Sequence, residues 1–154
     1  MRAIALAVIF GGLAVASAQG PDARPKDGYW KPESVQFDGK EQLPDAKARE
    51  PLVLILAGSE YRMYYTTDAK AGKAIKLFVG DFKADPTTRQ FELEVKDGQR
   101  KGMKVHGIYE VNGTQMKMCY GPSDQPRPTK FEAPAGSKLF SEVWSYMNPQ
   151  PKAP

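Results

Sequence analysis

Two runs of alternating apolar and polar residues flank the dipeptide Asn112-Gly113, and this pattern constrains the fold more than any other part of the chain. Asn and Gly suit a two-residue type I′ turn, because both central residues of that turn need a positive φ. Such a turn sets Val111 opposite Thr114 and fixes the pairs that follow. One face of the resulting hairpin is apolar and aromatic, so the sequence predicts antiparallel sheet with one buried face.

The same turn predicts which residues face each other across the hairpin. On the apolar face the predicted pairs are Tyr109 with Met116, Gly107 with Met118 and Val105 with Tyr120. On the opposite face they are His106 with Cys119, Ile108 with Lys117 and Glu110 with Gln115. A slip of one residue would exchange the two faces. We therefore expect Tyr109 and Met116 to be buried, and Glu110 and Gln115 to be exposed.

The first 18 residues have the pattern of a secretory signal peptide. Arg2 supplies the positive charge, residues 3–15 form an apolar run, and Ala16-Ser17-Ala18 is a small-residue cleavage site. The apolar run is too short to span a bilayer. The sequence thus predicts export, to the periplasm or out of the cell, with Gln19 as the first residue of the mature chain.

The predicted mature chain is mildly basic and has one cysteine. Removal of Arg2 from the 22 basic residues leaves 21 against 18 acidic residues, a formal charge of +3. The basic residues are spread along the sequence without an aromatic-basic motif, so no nucleic-acid partner is predicted. No second apolar segment is long enough for stable membrane insertion. Because Cys119 has no partner for an internal disulfide, the core must stabilise the exported domain.

Short apolar or alternating segments, separated by Gly, Asp and Pro, predict eight or nine antiparallel strands. Besides the hairpin, the predicted strands are Tyr29–Phe37, Leu52–Leu56, Tyr61–Thr67, Ala74–Val79, Phe91–Lys96 and Leu139–Met147. Residues 80–83 form either the next strand or a bent continuation of Ala74–Val79. One helical turn is expected after Pro44. The even spacing favours an all-β fold, an up-and-down barrel or a sandwich, between a flexible lead at residues 19–27 and a Pro-rich disordered tail at 148–154.

Gly28-Tyr29-Trp30 opens the first predicted strand, and this start resembles that of calycin-type barrels. Four segments carry a wider resemblance: GYWKPESVQFDGK (28–40), LVLILAGSEYRM (52–63), GIYEVNGTQMKMCY (107–120) and RPTKFEAPAGS (127–137). Through them the chain is similar to an uncharacterised lipocalin-like domain family of exported planctomycete-type proteins. The resemblance implies a small barrel over residues 28–147 with Trp30 across its closed end, and it implies no activity.

Two residues bear on how far that resemblance extends. Pro32 stands where such a first strand usually has an aliphatic residue, and a proline removes one donor from the ladder. We therefore expect a sheet edge or a bulge at this position. In lipocalins an arginine from a late strand covers the tryptophan, and Arg127 is the nearest candidate for that role.

The sequence contains no pattern typical of an enzyme. Paired carboxylates in a recognisable motif, a Ser-His-Asp signature and a metal-ligand cluster are all missing, so no catalytic residue, metal or cofactor is predicted. His106 and Cys119 face each other in the predicted hairpin. A nucleophile needs a third, orienting group, and zinc needs three or four ligands. We interpret the two residues as an ordinary surface or half-buried pair.

Large inward-facing side chains are the candidates for a ligand pocket: Trp30, Met63, Tyr65, Tyr109, Met116, Met118 and Tyr120. An eight-stranded barrel has an interior that side chains fill or that holds one small ligand. In the second case the partner is a small apolar ligand. In the first the protein is a structural or protein-interaction module that acts through its rim loops. The long loop Gly121–Ser137, with four prolines, is interpreted as a rigid crossover that covers a barrel end.

Overall fold

The computed structural model describes residues 24–68 and 73–147 and contains nine strands and one helical turn. The elements are β1 Gly28–Phe37, β2 Lys40–Glu41, α1 Ala46–Arg49, β3 Leu52–Ala57, β4 Glu60–Asp68, β5 Lys73–Asp85, β6 Gln90–Gly98, β7 Lys104–Asn112, β8 Gln115–Pro122 and β9 Phe140–Tyr146. The predicted signal peptide and the Pro-rich tail lie outside the described residues, as does most of the polar lead. Within the described part of the chain, no helix has the length and apolarity needed to cross a membrane.

Eight of these strands form a closed antiparallel barrel, which confirms the predicted up-and-down architecture. The order is β1-β3-β4-β5-β6-β7-β8-β9, and β9 pairs back with β1 from Trp30↔Tyr146 to Phe37↔Phe140. The short strand β2 lies outside this circle and pairs with the end of β1. Closure of the sheet leaves the eight barrel strands without a free edge.

Pro32 marks a bulge in β1. The register against β9 shifts between Pro32 and Ser34. Of the two expected features, an edge or a bulge, the structure thus shows the bulge. The extra residue changes which side chains face inward, because Trp30 and Val35 are five positions apart and both are buried. Without the bulge, strict alternation would place them on opposite faces.

The connections divide the barrel into two different ends. The end at which β1 begins has three short hairpin turns, at residues 58–59, 86–89 and 113–114. Trp30 plugs this closed end: its indole Nε1–H donates to the Lys26 carbonyl at 3.1 Å, and its ring meets the Tyr146 ring edge-on at 5.2 Å. The opposite end, called the open end below, has the longer connections, which include residues 99–103 and 123–139.

The β7–β8 hairpin differs from its predicted register by two residues. Its turn residues are Gly113 and Thr114, because Asn112 already pairs with Gln115 in the ladder. Gly113 has φ of 61°, whereas neither Asn112 nor Thr114 has a positive φ. This is the pattern of a type II′ turn, which needs a positive φ only at its first central residue and prefers Gly there. The predicted type I′ turn over Asn112-Gly113 is therefore wrong.

The shift changes every predicted pair but keeps each residue on its predicted face, since side chains alternate with a period of two. The observed apolar-face pairs are Val111↔Met116, Tyr109↔Met118, Gly107↔Tyr120 and Val105↔Pro122. The outer-face pairs are Glu110↔Lys117, Ile108↔Cys119 and His106↔Gly121. Tyr109 and Met116 are buried and Gln115 is exposed, as expected, while Glu110 is half-buried.

Two local predictions are settled by short-range geometry. Residues 80–83 continue the preceding strand, and β5 has a bulge against β6 between Val79 and Gly80. A Cβ at Gly80 would lie 2.4 Å from the Glu94 carbonyl oxygen, so this bend needs glycine. The predicted helical turn is α1, where the Asp45 carboxylate accepts the Ala48 N–H at 2.8 Å as an N-cap.

Candidate functional site

The barrel interior holds one contiguous cluster of buried apolar side chains. Six of the seven residues predicted to face the interior belong to it: Trp30, Met63, Tyr109, Met116, Met118 and Tyr120. Leu54, Phe82, Phe91 and Trp144 join them from other strands. Alternation along each strand brings these side chains inward, and they occupy the space between the walls.

Tyr65 is the one predicted pocket residue that lies elsewhere. Its side chain is 43% exposed, and its cross-strand partner Ile75 is 51% exposed. Both stand at the open end, where β4 and β5 continue past the core. Alternation predicted the face of Tyr65 correctly but carried no information on its depth along the barrel.

A buried carboxyl group, which the sequence reasoning missed, lies in the same interior. Glu142 is 3% exposed and is the only charged residue among the buried residues that the structure describes. It faces inward with Trp144 because the two are separated by one residue on β9, and its cross-strand neighbours are Val35 and Met118. The signal was the alternation of β9 around Trp144, which places Glu142 on the inner face.

Both oxygens of Glu142 accept hydrogen bonds from neutral donors. The Tyr120 hydroxyl donates to Oε1 at 2.6 Å, and the Trp144 indole Nε1–H donates to Oε2 at 2.8 Å. Burial raises the pKa of Glu142 above its usual range, although the two hydrogen bonds act in the opposite direction. The site therefore holds a carboxyl group whose neutral form is favoured by its surroundings.

The charge of Glu142 also acts on two tyrosines that are buried in the barrel interior. Tyr61 comes from β4, which is separated from β9 by β3 and β1. Burial raises the pKa of Tyr61 well above its usual value, and the charge of Glu142 raises it further. Burial and the same charge also raise the pKa of Tyr120. The carboxyl group therefore acts electrostatically on hydroxyl groups of two strands, β4 and β8.

Aromatic rings line the barrel interior beside Glu142. They form a continuous row, in which neighbouring ring centroids are 4.4 to 6.1 Å apart, made of Phe37, Phe140, Tyr120, Phe91, Phe82, Tyr61 and Phe78. Phe37 and Phe140 lie at the open end and are half-buried. Glu142 follows Phe140 by two residues on β9, which is about 7 Å along the strand. The carboxyl group therefore lies one layer below the open end.

Gly107 makes the continuity of the aromatic row possible. The rings of Phe91 and Tyr120 meet edge-on at 5.9 Å over this residue. A Cβ at Gly107 would lie 2.6 Å from the Tyr120 Cβ and 2.7 Å from the Phe91 Cε1. Only a residue without a side chain fits beneath these two rings.

A cation stands over the aromatic row at the open end. The guanidinium of Arg100, on the exposed β6–β7 connection, lies 5.9 Å from the centroid of the Phe140 ring. Phe140 in turn stacks on Tyr120 with centroids 5.1 Å apart and planes inclined by 14°. Arg100 thus lies on the open-end side of the buried Glu142.

His106 and Cys119 do not face each other, so their predicted pairing is wrong. The β8–β9 connection lies against the outer wall and engages each residue separately. His106 Nε2–H donates to the Gln125 carbonyl at 2.8 Å, and Cys119 Sγ–H donates to the Glu132 carbonyl at 3.4 Å. Burial raises the pKa of Cys119 to about 11, which leaves the thiol protonated and unreactive near neutral pH.

Arg127 holds the same connection to the wall and does not cover Trp30. Its Nη1 donates to the carbonyls of Phe91 and Gly107, each at 2.8 Å, and its Nη2 lies 3.6 Å from Glu92. The guanidinium also borders an open cleft of about 260 Å³ at the β5–β6 hairpin. The long connection is therefore a crossover fixed along the outer wall. It reaches the open end where Lys138 N–H donates to the Asp38 carboxylate at 2.9 Å.

In residues 24–68 and 73–147, no group of three or more His, Cys, Asp or Glu side chains is arranged to hold a metal ion. Comparison of the chain with models of known protein families gives no match, and neither does comparison with curated proteins or with solved structures. The buried carboxyl among aromatic rings is accordingly the candidate site, and its chemistry has to be argued from its own geometry.

Proposed function

We propose that this chain is an exported, non-enzymatic, lipocalin-like module that binds a small ligand with an apolar body and one polar group inside the barrel. The observation that carries this proposal is Glu142, the one charged residue among the buried residues that the structure describes, in a core of apolar and aromatic side chains. A buried carboxyl is costly, and an apolar residue of similar volume often serves stability as well or better. Groups kept in such surroundings cluster at functional sites.

The open end provides the route for the ligand. Phe37 and Phe140 are half-buried there, and Glu142 lies one layer below them. The interior side chains are closely packed, so a ligand enters by displacing them. Met118, which lies opposite Glu142 on β8, and Met116 beside it have flexible side chains that adapt readily to a new neighbour. The ligand's apolar body lies among the aromatic rings, and its polar group meets the carboxyl.

Membership of the lipocalin-like family and export are parts of the same proposal. The barrel topology and the position of Trp30 at the closed end support the first. The charged start, the short apolar run and the Ala16-Ser17-Ala18 pattern support the second. Mass spectrometry of the exported protein should find Gln19, in part cyclised, at its amino terminus. An exported chain that still begins at Met1 would contradict this.

The test of ligand binding is a fluorescence titration with N-phenyl-1-naphthylamine, a neutral apolar probe. Native protein should bind it saturably at about one probe per chain, as expected of a single interior site. Tryptophol, a neutral indole alcohol, should displace it. The same titration at an intermediate urea concentration measures how strongly the probe binds to core residues that partial unfolding exposes. Fluorescence that rises only on partial unfolding would contradict binding.

A second candidate function is a filled barrel that acts through its open-end rim as an interaction module. The exposed pair Tyr65 and Ile75 favours this alternative, because large apolar side chains seldom cluster on a surface without a partner. The same titration separates the two functions. Binding to the native protein supports the ligand module, and binding confined to partly unfolded protein supports the filled barrel.

A further inference from the structure

We infer that the ligand of this barrel is an organic cation, a protonated amine or quaternary ammonium on an apolar body of about one or two rings, with Glu142 as its counter-ion. The inference rests on the binding function proposed above and names the ligand class for that same site. Three features of the described residues lead to it: the lack of a cationic partner for the buried Glu142, the aromatic rings beside it and the position of Arg100.

Glu142 lacks a cationic partner among the described residues. The ion pairs at Glu60, Asp81, Glu92, Glu94 and Asp97 do not include it. Its hydrogen bonds come from the neutral groups of Tyr120 and Trp144. Buried charges in proteins are generally paired. The counter-charge that the described residues do not supply is the one that a cationic ligand would bring.

The rings beside Glu142 favour the same charge. An aromatic ring has a negative face, so cations bind over the faces of tryptophan, tyrosine and phenylalanine. Tyr120 stacks on Phe140, and Phe140 packs on Phe37, with centroids 5.1 and 4.4 Å apart. In its carboxylate form, Glu142 beside such rings attracts an ammonium group and repels an anion. The Tyr120 and Trp144 donors do not offset this, because both are already engaged by Glu142.

Arg100 is an independent sign that this part of the row accepts a cation. Its guanidinium already lies over the Phe140 ring, at the open end, but it is exposed and does not pair with the buried carboxyl. A cationic ligand passing this point would be repelled by Arg100 and attracted by Glu142. Removal of the Arg100 charge should therefore raise the affinity for a cation, and removal of the Glu142 charge should lower it.

Binding of a cation also has a consequence for protons. The groups that interact with Glu142 are the hydroxyls of Tyr120 and Tyr61, the Trp144 indole and the Cys119 thiol. Both tyrosines and the thiol stay neutral near pH 7, because their pKa values are raised. Where Glu142 is protonated in the free protein, a bound ammonium group favours its carboxylate form. The proton then passes to the buffer, and the heat of binding depends on the buffer's ionisation enthalpy.

The experiment is isothermal titration of the full exported chain with three indoles that differ in one group: tryptamine (cationic), tryptophol (neutral) and indole-3-propionate (anionic). Tryptamine should bind best and indole-3-propionate worst. Glu142→Gln should weaken tryptamine by about tenfold or more, as loss of a charge-assisted contact does, and change tryptophol by less than about threefold. Glu110→Gln, on the outer face of β7, should change neither. Arg100→Gln should strengthen tryptamine a few-fold at low salt, since a nearby like charge is removed.

The outcomes separate this inference from the function beneath it. If tryptophol binds as tightly as tryptamine and Glu142→Gln weakens both equally, the cation assignment is wrong while the binding function stands. If none of the indoles and no N-phenyl-1-naphthylamine binds native protein, the binding function itself is wrong. Should Glu142→Gln fail to fold, the ranking of the three indoles on the unmodified protein still decides. Tryptamine heats that differ between two buffers of unequal ionisation enthalpy, both effective below the folded pKa of Glu142, support the assignment, and identical heats there oppose it.

Discussion

Replacement of Glu142 by Gln should remove a specific pH dependence from the stability of the protein. Burial raises the pKa of Glu142 in the folded state above its ordinary value of 4.5. The folded protein therefore holds the proton more tightly than the unfolded chain does. The resulting stabilisation is complete below about pH 4.5 and is lost as the pH rises through the folded pKa, by at most about 1.4 kcal/mol per pH unit for one proton.

The hydrogen bonds of Glu142 determine how far the stabilities of the unmodified protein and of Glu142→Gln differ at low pH. Tyr120 and Trp144 each donate to a different oxygen of Glu142, whereas Gln presents one acceptor oxygen and one NH₂ group. One buried donor then loses its acceptor, which costs about 1–3 kcal/mol. At pH 4 we expect Glu142→Gln to be less stable by that amount. The difference should narrow as the pH rises, because only the unmodified protein loses the proton-linked stabilisation.

Urea denaturation followed by tryptophan fluorescence between pH 4 and pH 8 measures this difference. Glu110→Gln is the matched control, since it makes the same chemical change on the outer face of β7. Its difference from the unmodified protein should show no such narrowing. A Glu142→Gln difference that stays constant with pH, or that widens as the pH rises, would refute the argument that burial raises the pKa of this carboxyl.

Three further outcomes follow from the geometry of the β7–β8 hairpin. Gly107→Ala should destabilise the protein by about 1–3 kcal/mol, because the new Cβ would lie 2.3 Å from the Cys119 carbonyl oxygen and 2.7 Å from the Phe91 ring, and urea melts should show it. Gly113→Ala should cost about 1–2 kcal/mol, because φ is 61° there, and Asn112→Ala should cost less than about 0.5 kcal/mol. If Gly113→Ala and Asn112→Ala lower the free energy of unfolding equally in the same melts, the type I′ turn is favoured after all. Cys119 should react with a thiol reagent at pH 8 only as fast as the protein unfolds, and rapid labelling of native protein would contradict its burial.

The hairpin illustrates what sequence can establish in a sheet. Alternation around Asn112-Gly113 predicted both strands and both faces correctly, because burial depends on a period of two. It did not predict the register, since Asn-Gly suits one turn and Gly in the first central position suits another. The pairing of β8 with β9, from Gln115↔Ser145 to Tyr120↔Phe140, adds contacts that lie far away in sequence. These contacts influence which of the two turns forms, and they cannot be predicted from the residues around the turn.

The candidate site shows a different limit. Six inward-facing aromatic and methionine residues could be predicted, because large apolar side chains at every second position of a strand indicate its buried face. Glu142 could not be recognised in the same way, because a glutamate in a strand is ordinarily placed in solvent. Its inward position follows from Trp144 two residues later, and its hydrogen bond from Tyr120 depends on the β8–β9 register. Polar groups inside a barrel have to be sought by strand position rather than by residue type.

The most direct test of the account is whether a ligand reaches the barrel interior. Methionine methyl groups labelled with ¹³C report on this by NMR, because Met63, Met116 and Met118 are buried in the core. Titration with tryptamine should shift the Met118 methyl signal, which lies opposite Glu142, saturably and at about one ligand per chain. Shifts confined to methionines outside the core, or none at saturating tryptamine, would contradict a binding site inside this barrel.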